Sequence, residues 1–354
     1  MSPANAGSSA SSAPVAGSAA SRSSSGVKSD AGPVIGSGVD PAPRFFCSRP
    51  MKGNPERPGP SIRARNAGRF TRFAVADWSG AKGSSHKGIA LALCEAGRAA
   101  PVLVPPPGRA WSREGIAAWV EAEAHTPLLI GFDFSFAPPL IERGAYLPGE
   151  GAAVPAEAKS FWAYVAARCA EEDPDLGAAS FLERTHRRHF YFGAADGRKA
   201  DYMHLRRCEA HYNAGGGGKP STVYDAIGAA QVAKASFAGM RLLHRLSRRM
   251  AVWPFDPVPT EGALVVEIYT AIAARATGLR KGLSKMRSAD ALDVGLAALG
   301  TDPHVPLPRY DDHATDAILT AAWLRANAAR AELWHPPALT PQIAATEGWT
   351  FGVV

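Results

Sequence analysis

Carboxylates follow or lie within the buried apolar runs of this sequence. Asp77 ends RFAVAD before WSGAKG, and Asp133 ends PLLIGFD before FSFAPP. Glu267 lies within ALVVEIYT, and Asp312 and Asp316 are spaced i, i+4 near the start of a predicted helix, where they share one face. Side chains at the carboxyl ends of neighbouring parallel strands meet at the edge of the sheet where α/β proteins bind ligands. We therefore expect these five acids to converge.

Converging carboxylates indicate a metal site. In a low dielectric they repel one another unless cations neutralise them, and hard oxygen ligands suit Mg²⁺ or Mn²⁺. Two such ions roughly 3.5–4 Å apart stabilise both reacting oxygens of a phosphodiester hydrolysis, and the nucleophile is a metal-activated water. The predicted ligands are Asp77, Asp133, Asp312 and Asp316. His313 is expected to orient a ligand or a water, and Glu267 either binds metal or supports the site. Taken singly, each acid is also explained as a turn, cap or salt-bridge residue.

The basic charge is concentrated in two parts of the chain. Residues 1–69 carry a net charge of +6 and residues 184–290 carry +10, whereas the chain as a whole carries +7. The central stretch favours a nucleic-acid partner, DNA or RNA, and a solvated arginine-rich surface is the alternative. Trp78 either stacks on a base or packs at the rim of the sheet. The candidate substrate contacts are Trp78, Ser79, Lys82, Arg184, Arg187, Arg188, Arg206 and Arg207.

The apolar pattern predicts an α/β fold that positions these residues. Strands are expected in 72–78, 87–97 and 100–108, a helix in 111–125 and a fourth strand in 127–139. The first three strands would be antiparallel, and the helix would set the fourth strand parallel to the first. A mostly helical insert follows at about 158–250. A strand at 263–270, a helix at 311–332 capped by Asp311 or Asp312, and a short helix capped by Thr340 complete the fold.

Composition bounds the remaining possibilities. Residues 1–68 are rich in Ser, Ala, Gly and Pro, which predicts a disordered tail ahead of one domain at 69–354. The four cysteines form no C-x-x-C pair, and no apolar run reaches the roughly 20 residues of a membrane span. We expect a cytoplasmic protein with no membrane contact, although the Ser-rich, Arg-containing start also suits an organelle transit peptide.

A second set of metal-ligand residues lies in the insert. His204, Cys208 and His211 share one face if that segment is helical, and His186 and His189 precede them. Zinc binding is one interpretation, and a basic amphipathic helix is the one we favour.

The chain resembles the ribonuclease H-like fold, which includes RuvC-type resolvases, and most closely a family of predicted nucleases known as domain of unknown function four-hundred-and-twenty-nine. The segments that carry the resemblance are FAVADWSGAKG (73–83), GFDFSFAPP (131–139), STVYDAIGAAQVAKASFAGMRLLHRL (221–246), VWPFD (252–256), VVEIY (265–269), DDHATDAILTAAWLR (311–325) and EGWTFGV (347–353). The resemblance implies a mixed sheet flanked by helices and a carboxylate site that uses Mg²⁺ or Mn²⁺ to cut nucleic acid. Thr270 stands where similar sequences have proline, and Asp133 where many nucleases of this fold have glutamate.

Two other functions share this pattern of elements. Actin-like ATPases and sugar kinases have a similar sheet, and DWSGAKG at 77–83 has the character of a phosphate loop, but a second such loop is not visible in the sequence. A non-catalytic nucleic-acid-binding module of the same fold is the other alternative. It predicts binding that does not depend on metal.

Overall fold

The computed structural model describes residues 68–218, 220–228, 231–278 and 285–354. The tail predicted to be disordered lies outside the described residues, apart from Gly68. Six strands form one mixed sheet in the order β3-β2-β1-β4-β6-β5. The strands are β1 (Arg72–Asp77), β2 (Ala90–Glu95), β3 (Val102–Leu103), β4 (Leu128–Phe132), β5 (Ala251–Trp253) and β6 (Leu264–Glu267).

The first half of the sheet has the predicted connectivity. β1 pairs antiparallel with β2, and β2 pairs antiparallel with β3. β4 runs parallel to β1, with Ala76 opposite Phe132. Asp77 and Asp133 each follow this last pair directly, so the two carboxylates leave neighbouring strands at the same edge. β6 is parallel to β4 on its other side, with Glu267 opposite Phe132.

Nine α-helices lie within the described residues. They are α1 (Arg113–Ala122), α2 (Ala158–Arg168), α3 (Arg207–Ala214), α4 (Val232–Leu246), α5 (Thr270–Ala276), α6 (Ala289–Ala298), α7 (Asp312–Asn327), α8 (Ala331–Trp334) and α9 (Pro341–Thr346). Asp311 caps α7 by accepting a hydrogen bond from the backbone of Ala314, and Thr340 caps α9 in the same way. In the part of the chain that is described, no helix is both long and apolar enough to cross a bilayer.

The sheet separates two apolar cores. Alternate residues of a strand point to opposite faces. Ala74 and Ala76 of β1 therefore join a core with α2 and α4, whereas Phe73 and Val75 join a core on the other face with α6 and α7. Every residue of β4 is buried, as expected for a central strand covered on both faces.

The insert at 158–250 is less helical than predicted. Between Arg168 and Arg207 the chain forms turns, short 3-10 segments and one π-helical turn at Phe181–Thr185. The helical face expected for His204, Cys208 and His211 does not exist, because α3 begins at Arg207 and leaves His204 outside it.

Candidate functional site

The carboxyl ends of β1, β4 and β6 open into a cleft of about 580 Å³. Its walls come from the sheet edge, α3, α4 and the first turn of α7. It brings together eight of the residues that the sequence pointed to: Asp77, Trp78, Asp133, Arg206, Glu267, Asp312, His313 and Asp316. The expected convergence of the five acids on one cleft is therefore present in the structure.

Asp77 and His313 form a close pair in this cleft. Nδ1 of His313 lies 2.6 Å from Oδ2 of Asp77. Burial raises the pKa of Asp77, and the hydrogen bond from His313 offsets this shift in part. The same hydrogen bond raises the pKa of His313, against the opposing effect of burial. The pair thus joins a carboxylate at the end of β1 to an imidazole on α7.

Asp133 has a strongly raised pKa. Burial raises its pKa to about 8, with further contributions from the charges of Asp77 and Asp316. Its hydrogen-bond donor is Thr270, whose Oγ1 lies 3.3 Å from Oδ2 of Asp133. A proline at position 270 would lack this hydroxyl, so the identity of residue 270 affects the site directly.

Lys285 provides a positive charge at the helical side of the cleft. Its Nζ lies 2.8 Å from Oδ2 of Asp316 and 3.7 Å from Oδ2 of Asp312. Burial raises the pKa of Asp316 although Lys285 opposes the shift, whereas a hydrogen bond from Arg287 lowers the pKa of Asp312. Sequence reasoning counted Lys285 only within the basic stretch, because no local pattern links it to Asp316, which lies 31 residues further along the chain.

Glu267 is held by a buried ion pair. The two terminal guanidinium nitrogens of Arg206 donate to the carboxylate of Glu267, at 2.7 and 2.5 Å. The hydroxyl of Thr350 and the backbone N–H of Phe136 also donate to Glu267, at 2.6 and 2.7 Å. Arg206 is almost completely buried and also pairs with Glu209. The geometry therefore indicates that Glu267 supports the cleft. Arg206 is the buried partner of Glu267 and not a surface residue that contacts phosphate.

Residues near the end of the described chain complete this support. Glu347 is fully buried and accepts hydrogen bonds from the backbone N–H groups of Leu140, Ile141 and Arg207. Its segment continues to Thr350, which forms an isolated bridge with Glu267. The loop after β4, the start of α3 and the end of β6 are thereby fastened to one another.

The loop after Asp77 lies at the rim of the cleft and turns away from it. Trp78 is buried against Phe132 and Phe134, and its indole N–H donates to the carbonyl of Ala235. Of the two roles considered for Trp78, the structure therefore shows packing at the rim of the sheet. The carbonyl of Ser79 accepts hydrogen bonds from Arg113, and Lys82 is exposed and pairs with Glu183. Ser79 and Lys82 do not line the cleft with the acids.

The arginines expected to bind phosphate lie elsewhere. Arg184 pairs with Glu172, Arg187 with Asp196 and Arg188 with Glu150. The side chain of Arg207 is exposed. Among the described residues that line the cleft with the acids, Arg206 and Lys285 supply the Lys and Arg side chains. The structure thus does not bring the surface arginines to the acids.

A second ligand cluster joins the insert to the loop after β4. Donor atoms of Glu150, His186 and His189 lie within 4.8 Å of one another, and both histidines are buried. Glu150 was not singled out in the sequence because 36 residues separate it from His186 along the chain. The three described cysteines, Cys94, Cys169 and Cys208, are free thiols.

The acidic cleft fits a hard divalent cation in the chemistry of its donors. Repulsion from neighbouring carboxylates contributes to the raised pKa values of Asp133 and Asp316, and a bound cation relieves such repulsion. The ammonium group of Lys285 contacts Asp316, and the imidazole of His313 contacts Asp77. The chain matches no protein-family model, no curated protein and no solved structure.

Proposed function

We propose that this chain is a nuclease that hydrolyses phosphodiester bonds in nucleic acid and depends on Mg²⁺ or Mn²⁺. One observation carries the proposal: Asp77, Asp133, Asp312, Asp316 and His313 all line one cleft at the carboxyl edge of the parallel strands. Such a set of carboxylates matches the preference of these cations for hard oxygen ligands.

The sheet topology supports a ribonuclease H-like assignment. Three antiparallel strands lead to a crossover helix and to strands parallel to the first, and the acids follow β1 and β4 and begin α7. This is the arrangement that the sequence resemblance implies. β5, at the far edge, and the insert between β4 and β6 are additions to that arrangement.

Each side chain has a distinct role in this proposal. Asp77, Asp133 and Asp316 would hold the cations, with Asp312 at the outer side. Bound ions would polarise the scissile phosphate and lower the pKa of the attacking water. His313 fixes the carboxylate of Asp77, and Glu267 with Arg206 keeps the edge of β6 in place.

A non-catalytic binding module is the second candidate. The observation in its favour is that Asp77, Asp312 and Asp316 already have cationic partners in His313, Arg287 and Lys285. If this alternative is right, the three acids keep these ion pairs in the functional protein, and nucleic acid binds without metal.

Cleavage of a mixed panel of substrates distinguishes the two. Single- and double-stranded DNA, RNA, hybrid and junction substrates are incubated with Mg²⁺, Mn²⁺ or chelator. Asp77→Asn is compared with Asp311→Asn, since asparagine also serves as a helix cap. The nuclease proposal expects metal-dependent cutting that Asp77→Asn abolishes and Asp311→Asn retains. Binding without cutting, equal in all three proteins and unaffected by chelator, would establish the binding module instead.

A further inference from the structure

The cluster of Glu150, His186 and His189 joins two segments that are distant in the sequence. Glu150 lies on the long loop after β4, whereas His186 precedes a short 3-10 turn of the insert and His189 is the last residue of that turn. Oε1 of Glu150 lies 2.8 Å from Nε2 of His189 and 3.4 Å from Nδ1 of His186. Donor atoms around a tetrahedral zinc ion, with bonds of about 2.0–2.1 Å, lie roughly 3.3 Å apart. The two separations from Glu150 bracket this value, and the donor nitrogens of the two histidines lie within 4.8 Å of each other.

His186 provides the second, independent observation. Its side chain is 3% exposed, and its Nδ1 is buried without a hydrogen-bond partner. Buried polar atoms in native proteins nearly always have a partner, so an unpaired ring nitrogen needs an explanation. Its other ring nitrogen, Nε2, contacts the hydroxyl of Tyr164 at 3.2 Å. A metal-bound histidine characteristically uses its second nitrogen in such a contact, which fixes the orientation of the ring.

Arg188 occupies the outer side of the cluster. One guanidinium nitrogen lies 2.9 Å from Oε1 of Glu150, and another donates towards Nε2 of His189 at 3.3 Å. The arginine side chain is 62% exposed, so it can turn into solvent when a cation takes its place. Arg188 and His189 also line a polar cavity of about 320 Å³, which gives an ion a path to the site.

We propose that Glu150, His186 and His189 form a zinc-binding site, with His186 Nδ1, His189 Nε2 and a carboxylate oxygen of Glu150 as protein ligands. Two imidazoles and one carboxylate suit Zn²⁺, and water from the polar cavity completes four-coordination. The ion fastens the loop that carries Glu150 to the insert. This site is separate from the acidic cleft, because none of its three ligands lines that cleft.

Titration of the chelator-treated full-length protein with Zn²⁺, and with Co²⁺ for its visible absorption, tests the proposal. We expect one zinc per chain at this site and an absorption spectrum typical of tetrahedral Co²⁺. Glu150→Gln and His189→Asn should weaken Zn²⁺ binding on the order of a hundredfold or more, and Tyr164→Phe about tenfold. His125→Gln, at an exposed histidine, should leave it unchanged. Asp133→Asn, in the acidic cleft, should also retain it.

Arg188→Gln separates a metal site from a salt-bridge cluster. If the residues bind zinc, removing the guanidinium removes a competing cation, and Zn²⁺ affinity rises several-fold. If they form only a salt-bridge cluster, Arg188→Gln gains no zinc affinity. Circular dichroism confirms that each variant is folded. The proposal is overturned if the folded wild-type protein binds no Zn²⁺, or if Glu150→Gln and His189→Asn bind it as tightly as His125→Gln.

Discussion

His313 and Asp77 are joined by a 2.6 Å contact between Nδ1 and Oδ2, although 236 residues separate them in the chain. Asp77 ends the first strand, and His313 lies in the first turn of α7. The contact holds the start of that helix, with Asp312 and Asp316, beside the carboxyl edge of the sheet. A helix start and a strand end that are fixed in this way bring carboxylates from both elements into one cleft.

Neutralising Asp77 should weaken divalent metal binding. Asp77→Asn removes a predicted ligand and also the charge that His313 contacts, so we expect Mn²⁺ affinity to fall by more than the about 10–100-fold that a supporting residue typically contributes. Isothermal titration calorimetry measures this. Asp311→Asn, one residue outside α7, is the control and should bind Mn²⁺ as the wild type does. Equal affinities of the two variants would remove Asp77 from the site.

Stability in chelator should fall as pH rises, because of Asp133. The pKa of its carboxyl is about 8 in the folded protein and about 3.9 in the unfolded chain, so the folded state retains a proton that the unfolded state loses between these values. The free energy of unfolding then decreases by up to about 1.4 kcal/mol per pH unit from about pH 4 to pH 8.

Asp133→Asn removes the contribution of this carboxyl to the pH dependence of the free energy of unfolding. The variant should have a higher Tm than the wild type at pH 8 and a similar Tm near pH 4. Thermal unfolding followed by circular dichroism at several pH values is the measurement. Asp290→Asn, at an exposed aspartate, should follow the wild-type curve. A variant with an unchanged slope would mean that Asp133 ionises normally.

Glu267→Ala should destabilise the fold strongly. The substitution leaves the buried guanidinium of Arg206 with Glu209 as its remaining carboxylate partner, and breaking a buried ion pair costs about 3–5 kcal/mol. Urea unfolding gives the value. Glu171→Ala, at an exposed turn, should change the free energy of unfolding by less than about 0.5 kcal/mol. A loss of similar size in both variants would contradict the support assigned to Glu267.

Gly239→Ala should lower the free energy of unfolding, because α4 packs closely against Phe134 at the rim of the cleft. A Cβ atom at this position would lie 2.3 Å from the ring of Phe134, so the ring or the helix must move. Overpacking of this kind costs about 1–3 kcal/mol, which exceeds the roughly 1 kcal/mol that alanine gains over glycine in a helix.

Gly295→Ala in α6 is the matched comparison for Gly239→Ala. Its added Cβ meets the flexible end of Met286 first, at 2.7 Å. We therefore expect the smaller loss of stability at position 295, measured by urea unfolding of both variants. A larger loss at 295 than at 239 would show that Phe134 adjusts freely.

Removal of residues 1–68 should leave Tm nearly unchanged. Their composition predicts little burial of apolar surface. Among the described residues, Arg69 fastens the start of the domain, because its guanidinium donates to the carbonyls of Pro259 and Gly262 at 2.9 and 2.7 Å. Differential scanning calorimetry compares the full-length and shortened proteins. A large fall in Tm would mean that the removed segment packs on the domain.

The elements of the first half of the sheet were predictable because local patterns determine them. Apolar runs bounded by Gly, Pro and Asp gave β1, β2 and β4, and the cap at Asp311 gave the start of α7. The insert was not predictable in the same way. Its arginine-rich segments have helical composition, but buried side chains such as His186 and Arg206 hold most of residues 169–206 in turns and short 3-10 segments instead.

Five acids of the cleft were found from the sequence, but most of their partners were not. Asp77 and Asp133 are recognisable because each follows a buried strand. The contacts of Lys285 with Asp316, of Arg206 with Glu267 and of Glu150 with the two histidines join segments that are far apart in sequence. No local pattern encodes such pairs, so only the tertiary fold identifies them.

The hydrogen bonds of Glu347 and Thr350 have a consequence for biosynthesis. These two residues are translated after every strand and every helix whose backbone or side chains they bind. During translation the edge of β6 and the loop after β4 therefore stay unfastened until the segment 347–350 has left the ribosome. The cleft takes its final shape only after residues 347–350 have been synthesised, so chains released before that point would contain the acids without the framework that aligns them.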